Sequence, residues 1–201
     1  ITLVSNGLIR GGAGDGAGVV FDGGDRNLIR TGGSISAVSG LAIRTGDGDE
    51  QVENDGLVVG NIDLGAGDNG FLNGVDGTFV AFSTIDLRDT PGATGEFVND
   101  GAFLMGLRAS PYPIDLAAGE TFGNLDAGDP TANLLYGARV INTVELDGDF
   151  VQTDSGRMEF DVAFGPYASD RVNVTGDAFV DGVGDVTLTW LENAERVTLF
   201  A

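Results

Sequence analysis

Apolar residues in this chain fall into short alternating runs separated by Gly, Asn and Asp, and one run recurs with the same head. A Gly-x-apolar step appears at Gly7-Leu8-Ile9, Gly33-Ser34-Ile35, Gly56-Leu57-Val58, Gly77-Thr78-Phe79, Gly101-Ala102-Phe103, Gly123-Asn124-Leu125, Gly148-Asp149-Phe150 and, more weakly, Gly176-Asp177-Ala178. Successive heads stand 21 to 28 residues apart. Four residues before the glycine an apolar residue stands at Leu3, Ile29, Val52, Phe97, Val144 and Val172, but not at Asn73 or Gly119. A second alternating step follows in each period, plainest in Ile62-Asp63-Leu64, Ile85-Asp86-Leu87 and Ile114-Asp115-Leu116, with counterparts at Val19-Val20-Phe21, Leu41-Ala42-Ile43, Met158 to Val162 and Val186-Thr187-Leu188. Alternation with period two marks strands, and the Gly/Asp runs between them are turn chemistry that breaks helices.

Two or three short strands per period, joined by turns of variable length, predict a right-handed parallel β-helix of about eight coils. One coil cannot close a core alone; stacked at ~4.8 Å per coil, eight would make a rod of roughly 38 Å. A β-sandwich with strands every 8 to 12 residues is the rival, and the phased glycines favour the β-helix. Residues Ala132 to Arg139 are read as a single helical turn in an inserted loop.

Composition narrows the function classes. Gly makes up 34 of 201 residues and Pro only 5, with aliphatic residues throughout, which separates the chain from collagen and from disordered Gly/Pro tracts. With 31 acidic residues against 10 basic ones, all Arg, the net charge is −21. That excess disfavours nucleic acid and anionic membranes as partners and favours solubility or divalent cations. No apolar run approaches the ~20 residues of a membrane-spanning helix, so direct membrane insertion by this chain is not expected. There is no Cys, hence no disulfide framework.

The stretch Asn54-Asp55-Gly56, Leu64-Gly65-Ala66-Gly67-Asp68 and Phe71-Leu72-Asn73 resembles the passenger repeats of bacterial autotransporters. Gly148 to Gln152, Gly156 to Val162 and Ser169 to Gly176 resemble the last coils of pertactin-like passengers. The resemblance implies β-helix stalk coils over 1–146 and a C-terminal folding region over 147–201. It also implies export to the cell surface or outside the cell, with a signal and a translocator barrel encoded beyond this chain.

Chemistry is limited by what is missing. Without His, Cys or Lys there is no Ser-His-Asp triad, thiolate nucleophile, Schiff-base lysine or His-ligated zinc. Carboxylates remain: Asp63 and Asp86, each central in an Ile-Asp-Leu step, are placed to project from one face of neighbouring coils, the arrangement a polysaccharide-cleaving β-helix would need. Solvated or cation-bridged charges are the simpler reading, so no catalytic residue is assigned. Three runs, Gly11 to Gly16, Thr45 to Asp49 and Gly65 to Asn69, resemble fragments of calcium-binding Gly/Asp repeats, but they lack the nine-residue tandem spacing; positive-φ turns are preferred, and no cofactor is expected. Asn6, Asn54, Asn73 and Asn99 could stack as an amide ladder, though left-handed turn residues are the favoured reading. Trp190 and Phe200 are read as core. The expectation is a non-catalytic structural or adhesive surface module with an unidentified extracellular ligand. Self-association through exposed strand ends is conceivable. A polysaccharide-processing enzyme and a calcium-binding repeat protein stand as alternatives.

Overall fold

The computed structural model describes residues 1–106, 142–163, 168–181 and 185–190. These residues are all-β, with no helix among them, and all but one of the strand pairings are parallel. Each pass of the chain places strands in three ladders in turn. The first pass gives β1 (Thr2–Ser5), β2 (Leu8–Gly11) and β3 (Ala17–Val20), and the second gives β4 (Arg26–Thr31) and β5 (Ser34–Arg44). The third gives β6 (Asp49–Asn54) and β7 (Leu57–Asp63), and the fourth β8 (Asn69–Asn73), β9 (Thr78–Ala81) and β10 (Thr84–Asp86). The fifth gives β11 (Gly95–Asn99), β12 (Ala102–Met105) and β13 (Thr143–Asp147). The sixth gives β14 (Asp149–Gln152), β15 (Arg157–Ala163), a short β16 (Ala168–Ser169) and β17 (Arg171–Val174), and the seventh β18 (Ala178–Val180) and β19 (Asp185–Trp190). β5 and β7 are long because each crosses from the second ladder to the third without a break in strand structure. Gly40 and Gly60 take positive φ within them, where the chain turns.

The first ladder is a seven-stranded parallel sheet in the order β1-β4-β6-β8-β11-β14-β18. The second runs β2-β5-β7-β9-β12-β15-β19 and the third β3-β5-β7-β10-β13-β17. Because the pairing is parallel and in register, each inward position sits over its equivalent in the preceding pass. Three apolar columns result: Leu3-Ile29-Val52-Phe71-Phe97-Phe150, Ile9-Ile35-Val58-Phe79-Phe103-Met158 and Val19-Ile43-Ile62-Ile85-Leu146-Val174. They meet in one core cluster. Five phenylalanines fill its middle: Phe71 and Phe97 stack at 4.9 Å and 5°, and Phe103 meets Phe97 edge-on at 5.6 Å. Such pairs add ~0.5–1.5 kcal/mol each beyond the area they bury.

The recurring glycine has a steric cause. A Cβ on Gly33 would lie 2.1 Å from the Gly7 carbonyl oxygen, and one on Gly56 2.1 Å from that of Gly33. Gly101 and Gly156 meet carbonyls of the preceding pass at 2.2 Å in the same way. None of these four has positive φ, so stacking excludes the side chain, not the backbone conformation.

Two expectations are corrected. Among the described residues the first and second ladders have seven rungs and the third six, where about eight coils were expected; Gly123, the head of the expected further coil, lies outside the described residues, as do Ile114-Asp115-Leu116 and Ala132 to Arg139. β12 pairs directly with β15 and β10 with β13, which leaves no rung between them. The phase also slips. Gly148 and Gly176 head strands of the first ladder, whereas the five earlier described heads lead into the second. Gly148 stands over Gly95, whose oxygen would be 2.8 Å from an added Cβ. Accordingly Val144 and Val172 belong to the third ladder, and Met158 and Val186 to the second. Glycine before an alternating strand is demanded at more than one corner, so the motif does not say which corner it marks.

Gly56→Ala is expected to cost ~3 kcal/mol or more through the overlap with the Gly33 carbonyl. Gly7→Ala, whose Cβ meets nothing within 4 Å, is expected to stay within ~0.5 kcal/mol. Urea denaturation of the two variants checks the pair, and equal effects would refute the stacking argument.

Candidate functional site

Three groups of polar residues are ordered by the ladders: an internal amide column, a buried carboxyl at the neighbouring corner, and an outward row of aspartates.

The amide column runs along the inward-facing C-terminal ends of the first-ladder strands. Asn54 Nδ2 donates to Asn73 Oδ1 at 2.8 Å, Asn73 Nδ2 to Asn99 Oδ1 at 2.7 Å, and Asn99 Nδ2 to Gln152 Oε1 at 2.8 Å. The same nitrogens also donate to the carbonyls of Thr78, Ala102 and Arg157. All four side chains are buried. The reading of these asparagines as turn residues is therefore corrected for Asn54, Asn73 and Asn99. Asn6 is exposed and stands outside the column. Gln152 was missed, although its place four residues after Gly148 is the place Asn73 and Asn99 hold four residues after Asn69 and Gly95. Below Asn54 the column continues as Thr31 and Ser5, whose hydroxyls accept the amides of Gly33 and Gly7.

Near the opposite, N-terminal end of β6, Glu50 is 1 % exposed. Its Oε1 accepts Asn27 Nδ2 at 2.6 Å, its backbone N–H donates to Asn69 Oδ1 at 2.8 Å, and its Oε2 has no partner. Burial raises the carboxyl above its ordinary pKa, opposed by the Asn27 hydrogen bond, and Asp49 and Asp47 push the same way as burial.

The outward row of the third ladder reads Arg44, Asp63, Asp86, Asp147. Asp63 and Asp86 are direct partners on neighbouring rungs, as the sequence suggested. Each closes a turn: Asp63 Oδ1 accepts the Gly65 N–H and Asp86 Oδ1 the Arg88 N–H, both at 3.2 Å. Partial burial raises both pKa values, and Asp89 adds to the effect on each. Asp147 goes the other way, held low first by the Thr175 hydroxyl at 2.5 Å and then by the Arg88 guanidinium at 3.1 Å. Two adjacent carboxyls on a sheet exterior can share a proton or a cation. A glycosidase pair needs its two carboxyls on opposite sides of a sugar ring.

The Gly/Asp runs separate in space. Gly11 to Gly16 turns between the second and third ladders, whereas Thr45 to Asp49 and Gly65 to Asn69 turn from the third to the first. In the latter two the carboxylates are used within the stack: Asp49 Oδ1 accepts the Asp68 N–H at 3.1 Å and Asp68 Oδ1 the Thr94 N–H at 2.8 Å. No three acidic side chains among the described residues gather in a metal-holding group. A groove of about 550 Å³ runs along the outside of the first ladder, lined by Thr2, Arg26, Leu28, Asp49, Gln51 and Glu53 among others. Trp190 ends β19 opposite Val162; Phe200 lies outside the described residues.

No family model, curated protein or solved structure matches the chain.

Two predictions follow from the internal polar groups. Asn73→Leu strands amide partners on both neighbouring rungs and is expected to cost ~2–4 kcal/mol in urea denaturation, against ~0.5 kcal/mol or less for Asn6→Ala. Glu50, with its raised folded pKa, contributes stability that is complete below its unfolded pKa and lost as pH rises through the folded value. Glu50→Gln should therefore raise the urea midpoint at pH 7, with the gain shrinking toward pH 4. An equal gain at both pH values would refute a titrating Glu50.

Proposed function

We propose that the chain is a right-handed parallel β-helix serving as a non-catalytic structural or adhesive module, the stalk part of an autotransporter-like protein displayed on a bacterial surface or released from it. The observation that carries this reading is the unbroken register of the first ladder over seven strands, with polar and apolar columns continuous through its interior. Parallel neighbours joined by crossovers wind right-handed in nearly all known cases, which supports the hand. Seven rungs at ~4.8 Å span about 29 Å from first to last, a rigid spacer whose usable area is its exterior. A stack of this kind transmits position and offers a broad surface; it does not by itself form a cleft that excludes water. Within that reading, residues from 147 onward are the folding region and residues 1–146 the stalk, with β13 running up to the join.

One observation favours a second reading. Asp63 and Asp86 lie side by side with raised pKa values, and a polysaccharide-processing enzyme could use them as acid and base. Purified chain incubated with neutral and acidic polysaccharides separates the two. The structural reading expects no release of reducing ends, and expects bacteria lacking the parent protein to attach less well to host or abiotic surfaces. Release that disappears in Asp63→Asn/Asp86→Asn would replace it with the enzyme.

A further inference from the structure

The outside of the first ladder carries a second row of residues that the interior does not explain. In register, Glu53 is followed by Leu72, Val98, Val151 and Phe179. These are outward positions, since they alternate with the buried Phe71, Phe97 and Phe150. Leu72 is 37 % exposed, Val98 and Val151 are half-buried, and Val75 in the adjoining turn is 69 % exposed; Phe179, on the end strand β18 where Ala178 and Val180 are exposed as well, continues the row. Four stacked rungs thus form an apolar stripe about 14 Å long. Its borders are acidic. The next outward row on one side carries Glu96 and Asp149, and the turn on the other side carries Asp76, Asp100 and Asp154. Farther down the same column Arg30 lies two rungs below Leu72 and is held by Glu53 through bonds of 2.5 and 3.0 Å, and Arg157, past the turn that carries Asp154, pairs with Glu159.

We propose that this stripe is a docking surface for a basic amphipathic helix of a partner protein. The charge pattern selects the occupant: an apolar ridge between two carboxylate borders complements an apolar helix face flanked by Lys or Arg. A second copy of this chain would set the same carboxylates against each other, and an anionic lipid surface would be repelled. The dimensions fit as well. A helix repeats at 5.4 Å per turn and the rungs at ~4.8 Å, so residues spaced i, i+4, i+7 and i+11 meet the four rungs with a drift of only ~2 Å. Along β8, β11 and β14 the stripe does not recruit a strand, because their backbone groups are paired on both sides within the sheet. The inference deepens the adhesive reading and rests on it.

The test is titration of a labelled Leu/Lys helix-forming peptide of about 14 residues into this chain, with a Leu/Glu peptide of the same pattern as control, followed by fluorescence anisotropy. The Leu/Lys peptide is expected to bind and the Leu/Glu peptide not to. Val98→Thr/Val151→Thr, which keeps β-branching at two outward sites, should weaken binding about tenfold without shifting the urea midpoint. Glu96→Gln/Asp154→Asn should weaken it about threefold and flatten its salt dependence. Binding unchanged in the Val98/Val151 variant would overturn the proposal while leaving an adhesive surface elsewhere. Dimerisation of the chain abolished by that variant would overturn it in favour of a second copy. Absence of Leu/Lys binding would overturn it outright, whereas polysaccharide cleavage would remove the adhesive reading and leave the stripe's binding to be read independently.

Discussion

Register-locked stacking governs this molecule. Parallel pairing sets each residue over its counterpart in the pass below at a distance of ~4.8 Å, so a side chain's first neighbours are the side chains of its own column. Like must therefore tolerate like, at every level, over the whole length of the ladder. Aliphatic and aromatic residues do so by packing, as the Phe71, Phe97 and Phe150 column shows. Amides do so by donating upward and accepting from below, which is how Asn54, Asn73, Asn99 and Gln152 remain satisfied at full burial. Glycine does so at corners where the carbonyl beneath leaves no room for a Cβ. Carboxylates tolerate stacking least, and several of them are given a hydrogen-bond donor or an arginine.

That matters in a chain of net charge −21. Asp49 and Asp68 accept backbone amides from the next pass, Glu53 takes Arg30, and Asp147 takes Arg88 and Thr175. At Glu50, Asp63 and Asp86 burial outweighs the hydrogen bonds from Asn27, Gly65 and Arg88 and raises the pKa, with neighbouring carboxylates adding to the effect. The two sets oppose each other with pH. The raised groups favour folding below the unfolded carboxyl pKa and lose that contribution as pH rises through their folded values. The depressed Asp68 and Asp147 give theirs above the unfolded pKa and lose it as pH falls through their folded values.

Much of this was legible in the sequence because stacking leaves a period. The glycine heads, the apolar alternation and the adjacency of Asp63 and Asp86 all follow from spacing, and the structure keeps them. What spacing could not supply was phase. Two corners require glycine before an alternating strand, so Gly148 looked like Gly101 while standing over Gly95. The amide column was visible as three asparagines, but its continuation through Gln152 depended on that same phase. Glu50 was hidden for another reason: a charged residue in an alternating strand reads as outward, and only the Asn27 and Asn69 side chains on either rung show it to be inside.

The exterior follows from the same constraint, because outward residues also form columns. On the third ladder the column is charged, and Arg88 folds back over it. On the second, Val59, Val80 and Leu104 are apolar and buried together with Phe82. On the first, Leu72, Val98, Val151 and Phe179 are apolar and partly or largely exposed. The interior does not require that difference, since columns facing outward are free of the core, and threonine at each position would keep the strand geometry without exposing hydrocarbon. An uncovered apolar column between two carboxylate borders is costly in water, and in a scaffold whose interior is so closely ordered it is best accounted for by a surface that something else covers.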